Sequence, residues 1–174
     1  MKYYLVAYPK LSGQDRTWID HYRQRHDPLY RDVIEPHFTL VFGGVSLSEK
    51  KIDSEAERLL VGVRSFRFEL ALATINKDSF APVYHEFLVP EKGYAAIAML
   101  HDRLYSGAFR QFLRLDIDYI PHIGVGNDHD AETVKARVDA LNERGISIAS
   151  TIDTVDMIGL NENRVTRLRQ FRLA

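Results

Sequence analysis

Pro36-His37-Phe38-Thr39-Leu40-Val41-Phe42-Gly43 has a partial echo half a chain later, Pro121-His122-Ile123-Gly124-Val125-Gly126, and the rest of the sequence is arranged about this pair. In the first stretch a two-residue alternation sets His37, Thr39 and Val41 on one face of a strand and Phe38, Leu40 and Phe42 on the other. One face enters a core, and the opposite face presents an imidazole with a hydroxyl two residues on. The echo sets His122 and Gly124 on one face, with Ile123 and Val125 on the other. Both begin with proline, which is tolerated at the first residue of a strand, where its missing N–H matters least. A lone strand histidine is most often structural or a surface residue. Its repetition in the same local setting points to chemistry.

The chain has 174 residues, a length that suits one domain with one good core. A formal net charge of −1 rules out a general polyanion binder that works through bulk electrostatics. Phosphate recognition must then come from local arrangement. The absence of cysteine removes disulfide frameworks, thiolate nucleophiles and cysteine-ligated zinc, and suits a reducing cytosol. Residues 1–9 hold too short an apolar run for a signal peptide and read as a strand. No segment approaches the roughly 18 apolar residues of a membrane span. The expectation is a soluble, cytoplasmic protein.

Working outward, residues 2–8 read as a strand ended by Pro9. Trp18, Ile19, Tyr22 and His26 recur at helical spacing, with Asp15 as N-cap and Asp27-Pro28 as the stop. The first Pro-His strand runs from 36 to about 42. Ser48 or Ser54 caps a helix whose apolar face is Ile52, Ala56, Leu59, Leu60 and Val63. Residues 66–76 alternate, with Phe66, Phe68, Leu70 and Leu72 inward. With a strand over 83–89 stopped by Pro90 they make a hairpin. Tyr94, Ile97, Leu100, His101, Leu104 and Tyr105 form a helical face. The second Pro-His strand covers 116–125. Asp128 or Asp130 then caps a helix that ends at Gly145. Two last strands, 146–159 and 164–173, complete four helices among about seven or eight strands. Hairpins outnumber βαβ units, which favours α+β over a doubly wound sheet.

The two Pro-His stretches resemble the paired His-x-Thr/Ser signatures of the two-histidine (2H) phosphoesterases, which include the 2′-5′ RNA ligase-like and cyclic phosphodiesterase proteins. The order of elements is similar too: each motif strand is followed by a helix and then by antiparallel strands. The resemblance implies a bilobal α+β fold over residues 1–174, with two pseudo-symmetric antiparallel β-rich lobes, helices outside and a central cleft. It implies that His37 and His122 are catalytic and face each other across a phosphate. Thr39 and Gly124 take the phosphate-binding positions, and Thr39 donates its hydroxyl. Gly124 departs from the pattern, which expects Thr or Ser there.

The activity so implied is a metal-independent phosphoesterase acting on a 2′,3′-cyclic phosphate or related nucleotide or RNA-end phosphodiester, with 2′-5′ RNA ligase activity as the further activity the resemblance implies. No cofactor and no metal are expected. The expected partner is a nucleotide or RNA-end substrate, with no membrane and no DNA, and the chain is expected to be a monomer. The chemistry suits the residues: an imidazole with an unperturbed pKa of about 6.5 supplies base or acid near neutrality.

Two rival readings stand beside it. The first is a non-catalytic nucleotide or RNA-end binding protein whose second motif has decayed at Gly124. The second is a metal-dependent hydrolase drawing on His21, His26, His85, His101 and His129 with Asp27, Asp128 or Asp130, although none of these has an established ligand spacing. His101, on an apolar helix face, reads as a hydrogen-bonded core residue. Arg164, Arg167, Arg169 and Arg172 read as a charge-guarded edge strand. Tyr4, Tyr8 and Tyr84 are flat surfaces on which a base would stack, and equally ordinary strand tyrosines.

Overall fold

The computed structural model describes residues 1–174. In chain order the elements are β1 (Lys2–Ala7), α1 (Gly13–His26), β2 (Phe38–Val41), α2 (Glu49–Leu60), β3 (Phe66–Lys77) and β4 (Tyr84–Lys92). There follow α3 (Tyr94–Leu104), a 3₁₀ turn (Arg110–Phe112), β5 (Ile123–Asp128), α4 (Ala131–Arg144), β6 (Ile148–Ile152), β7 (Thr154–Asn161) and β8 (Arg164–Arg172). The strands form two antiparallel four-stranded sheets, β2-β1-β7-β8 and β5-β4-β3-β6. The fold is α+β, as the element count implied.

The halves repeat: β1-α1-β2-α2 is echoed by β4-α3-β5-α4, and the motif strands β2 and β5 are each an edge of their sheet. The helices cross over between halves. α1, which joins two strands of the first sheet, packs on β5 of the second, and α3 packs on β2 of the first. The apolar faces therefore share one buried cluster of 32 residues, with Phe38 of β2 set edge-on to Phe68 of β3 at 5.0 Å. This exchange brings the two motif edges toward each other.

Local signals set the helix ends. Ser12, three residues before Asp15, caps α1 by accepting the Asp15 N–H, so the cap is Ser12 rather than Asp15. Asp15 sits in the first turn, where a negative charge suits the helix dipole. Asp27, before Pro28, ends the helix as expected. Ser48, not Ser54, caps α2, and Val63 falls beyond its end. Asp130 caps α4 through two backbone N–H groups, and Gly145 closes it with φ +79°.

Several strands differ from the alternation. Residues 146–159 are two strands in different sheets, parted at Asp153, whose carbonyl accepts the Leu173 N–H. A period of two cannot show a change of sheet, because both segments keep it. β4 continues through Pro90 to Lys92; Pro90 lies opposite Leu70 where the register slips, so its missing N–H breaks no regular ladder. The same slip leaves Leu72 39 % exposed and buries Ala73 instead. Tyr94 begins α3 on its exposed side. The second Pro-His strand starts only at Ile123, and residues 116–122 run as a loop up to it.

Candidate active site

His37 and Thr39 from one edge and His122 and Gly124 from the other line a single cavity of about 370 Å³ between the sheets. The four residues singled out in the sequence are thus brought together. Each histidine stands immediately before its strand, and each strand carries a bulge three residues past it. On β2 the pairing passes from Thr39 opposite Val6 to Val41 opposite Leu5, so Leu40 is the extra residue. On β5 it passes from Gly124 opposite Phe87 to Gly126 opposite Glu86, so Val125 is the extra residue. A bulge turns the alternation over. Val41, expected beside His37, is therefore buried, while Phe42, expected in the core, lines the cavity.

Both imidazoles are held in the same way. Nδ1–H of His37 donates to the Glu35 carbonyl at 2.8 Å, and Nδ1–H of His122 to the Ile120 carbonyl at 2.5 Å. A carbonyl only accepts, so the proton is on Nδ1 and Nε2 is left for other partners. Nε2 of His37 lies 3.2 Å from the Thr39 hydroxyl. At the other motif Gly124 offers no hydroxyl; the space where its side chain would project is open, and Phe87 stacks on the His122 ring at 3.5 Å with planes 14° apart. Desolvation pushes both histidines down to about 4; the His37 charge adds to the depression at His122. Both are therefore neutral at pH 7.

The bulged edge β2 is steadied from behind. His101 Nδ1–H donates to the Leu40 carbonyl at 2.8 Å, the Tyr119 hydroxyl donates to the Thr39 carbonyl at 3.1 Å, and the Tyr105 hydroxyl accepts the Phe42 N–H at 3.0 Å. His101, buried and stacked on Tyr119 at 3.6 Å, is the hydrogen-bonded core residue the sequence suggested.

The sequence reading missed one group at the cavity, Arg23, and gave several others a different part. Arg23 and Asp27, both buried, pair at 2.8 Å, and Asp27 also accepts Nδ2–H of Asn127 at 2.5 Å and the Tyr30 N–H at 3.1 Å. Their i, i+4 spacing at the end of α1 was the available signal. His85, considered only as a metal ligand, is 3.0 Å from Asp78 and lies near-parallel to Phe87 at 5.7 Å. Of the tyrosines, Tyr4 lines the cavity, and Tyr8 lies 6.0 Å from the His37 ring beneath the Arg167 guanidinium. Arg167 and Arg169 of the edge strand β8 pair with Glu35, Asp53 and Glu57. The edge is charge-guarded.

Comparison with known proteins agrees with this fold. The family model of the 2′-5′ RNA ligase superfamily matches residues 9–164. No curated protein matches the chain. Among solved structures, apo LigT of E. coli superposes with a TM-score of 0.60 at 20% identity, over 99% of this chain and 96% of that one. TT0787 of Thermus thermophilus gives 0.62 at 15% identity, over 99% and 98% of the two chains. Usb1 of Kluyveromyces marxianus gives 0.56 at 11%, over 96% and 97%. These likenesses establish the fold. LigT has also been crystallised with 3′-AMP, NADP+, phosphate and ATP.

Proposed function

The chain belongs to the 2′-5′ RNA ligase superfamily, and from that premise we propose that it is a metal-independent phosphoesterase acting on a 2′,3′-cyclic phosphate or a related nucleotide or RNA-end phosphodiester. The observation that carries this reading is the shared cavity, with two carbonyl-anchored imidazoles, one from each half. The nucleotides held by LigT support a nucleotide-bearing substrate.

In hydrolysis of a 2′,3′-cyclic phosphate, one neutral imidazole takes a proton from water at Nε2. The water oxygen bonds to phosphorus in line with the ribose oxygen that leaves. The second imidazole, having gained a proton as the phosphate anion enters, gives it to that oxygen. The product is a ribose phosphomonoester with one free hydroxyl, and each proton transfer is typically worth about 10² to 10⁴ in rate. Thr39 donates to a non-bridging oxygen as charge grows there. With the 5′-hydroxyl of a second RNA end in place of water as nucleophile, the same in-line attack opens the ring and joins the ends by a 2′-5′ linkage: the first imidazole takes the hydroxyl proton and the second gives one to the departing 3′-oxygen.

The test is a panel of nucleoside 2′,3′-cyclic phosphates, 3′,5′-cyclic phosphates and 2′-5′ linked dinucleotides, assayed with chelator present. Turnover of the 2′,3′-cyclic compounds is expected. Turnover only after a divalent ion is restored would favour the metal-dependent hydrolase. Binding with no turnover in either condition would favour a binding protein whose second motif has decayed at Gly124.

A further inference from the structure

We propose that His85, with Asn76 and Lys77, binds a second phosphate of the substrate, beside the phosphodiester held between His37 and His122; this rests on the reading of those two histidines as the reacting pair.

All three residues line the same cavity, at its β3–β4 end. Asn76 is opposite His85 in the β3–β4 ladder, so the two side chains share a face. His85 is fixed from behind. Its Nε2–H donates to one oxygen of Asp78 at 3.0 Å, and the other oxygen of Asp78 accepts the Phe80 and Ala81 N–H groups at 2.7 and 2.8 Å. Of the three imidazoles in the cavity, His85 alone is anchored on a carboxylate; His37 and His122 are anchored on carbonyls. With Nε2 committed to Asp78, Nδ1 is the ring nitrogen of His85 left for a ligand.

The other charges agree. The Lys77 ammonium has no ion-pair partner. Asp27 and Glu35, which also reach the cavity, are paired with Arg23, Arg16 and Arg167; Asp78 is held by His85, and Asp118 has no Lys or Arg partner in the cavity. Lys77, next in sequence to Asn76, is therefore the one Lys or Arg of the cavity lining that no carboxylate holds.

Spacing gives the second group its place. His85, Phe87 and His122 form one stack, with ring planes 7° and 14° apart. Phe87, near-parallel to both rings at 3.5 Å from His122 and 5.7 Å from His85, links the two histidines. In the β4–β5 ladder His85 lies opposite Asn127, whereas Ile123, which follows His122, lies opposite Leu88, so the two imidazoles stand at different heights along β4 and His85 is offered a neighbouring phosphate. That neighbour is either a 5′-phosphate on the same nucleotide or the next linkage of an oligonucleotide.

The experiment compares three compounds: adenosine 2′,3′-cyclic phosphate, its 5′-phosphorylated form, and a dinucleotide ending in a 2′,3′-cyclic phosphate. kcat/KM is measured on the wild type, and Kd by calorimetry on a His37→Ala/His122→Ala double variant that cannot turn them over. A preference of at least about tenfold for one of the two phosphate-bearing compounds is expected in both measurements, and which one identifies the source of the phosphate. His85→Gln and Lys77→Ala should each bring the ratio toward one, while His21→Gln on the exposed face of α1 keeps it. Absence of the preference, or its survival in both variants, overturns the proposal. Binding preference without wild-type turnover upholds the subsite and removes the phosphoesterase reading. No binding of any compound removes both.

Discussion

His37 and His122 are oriented by the same local device, each donating Nδ1–H to the carbonyl two residues before it. Each also stands just before a strand that bulges three residues later. The symmetry is therefore in the backbone as well as in the residue types. It breaks at the side chain that follows: a hydroxyl at Thr39, and open space at Gly124.

The pH dependence follows from desolvation. Both histidines are lowered to about 4, whereas catalysis by an acid–base pair requires one of them protonated. kcat/KM, which reports the free enzyme, should rise as pH falls from 7 toward 4. The bound phosphate anion favours the imidazolium, so the optimum of kcat should lie at higher pH than that of kcat/KM. A kcat/KM that falls steadily on acidification below 7 would contradict this. Limbs near neutrality, expected of two ordinary imidazoles, are moved acidward by burial.

The same shifts bear on stability. Unfolding returns each histidine to a pKa near 6.5, so between about 6.5 and 4 the unfolded chain binds protons that the native state refuses. Stability is retained above 6.5 and lost as pH falls through that window. Thermal unfolding at pH 7 and pH 4.5 should show a smaller drop in Tm for His37→Gln/His122→Gln than for the wild type.

Phe87 should act on His122 as a positioning residue. Its stacking is of the kind worth about 0.5–1.5 kcal/mol in aromatic pairs. Phe87→Ala should lower kcat by about tenfold and, by admitting water, raise the His122 pKa in an NMR titration. Phe87→Tyr should keep both near wild type. An unchanged His122 titration in the alanine variant would show that the stack does not hold the ring.

The hydroxyl and the gap beside the two histidines make a paired prediction. Thr39→Ala should cost about 1.5–3 kcal/mol in transition-state stabilisation, the worth of a hydrogen bond to a charged group. A Cβ at 124 meets nothing within 4 Å and needs no unusual φ, so Gly124→Thr should fold normally. It should raise turnover of small cyclic nucleotides or exclude a bulkier substrate. If Thr39→Ala and Gly124→Thr both leave kcat and KM unchanged, neither position is at the phosphate.

Asp27→Ala should be among the most damaging changes for stability. It leaves the Arg23 guanidinium buried without its carboxylate, a loss of about 3–5 kcal/mol in comparable pairs. Denaturant unfolding checks it, and Arg23→Met/Asp27→Leu should recover most of the loss. If Asp27→Ala alone unfolds at the wild-type midpoint, the pair is not structural.

Much of this was legible in the sequence. The Pro-His repeat placed both imidazoles, and capping residues and Gly145 marked most helix ends within a residue or two. What escaped was whatever needs a partner from elsewhere in the chain. The bulges at Leu40 and Val125 exist only relative to the strands they face, so Val41 and Phe42 were put on the wrong sides. The break at Asp153 is a change of sheet that alternation does not record. Phe87 and His85 have period-two spacing like any strand residues; their role comes from lying across the ladder from Gly124 and Asn127.

The central claim is that His37 and His122 act together on one phosphodiester. It is tested most directly by turnover of adenosine 2′,3′-cyclic phosphate, with chelator present, by the wild type, His37→Gln, His122→Gln and the double variant. The account predicts a loss of at least about 10² in kcat for either single change, the usual worth of one proton transfer, and a double variant hardly worse than the singles. Wild-type rates in either single variant, with the fold intact, would contradict it.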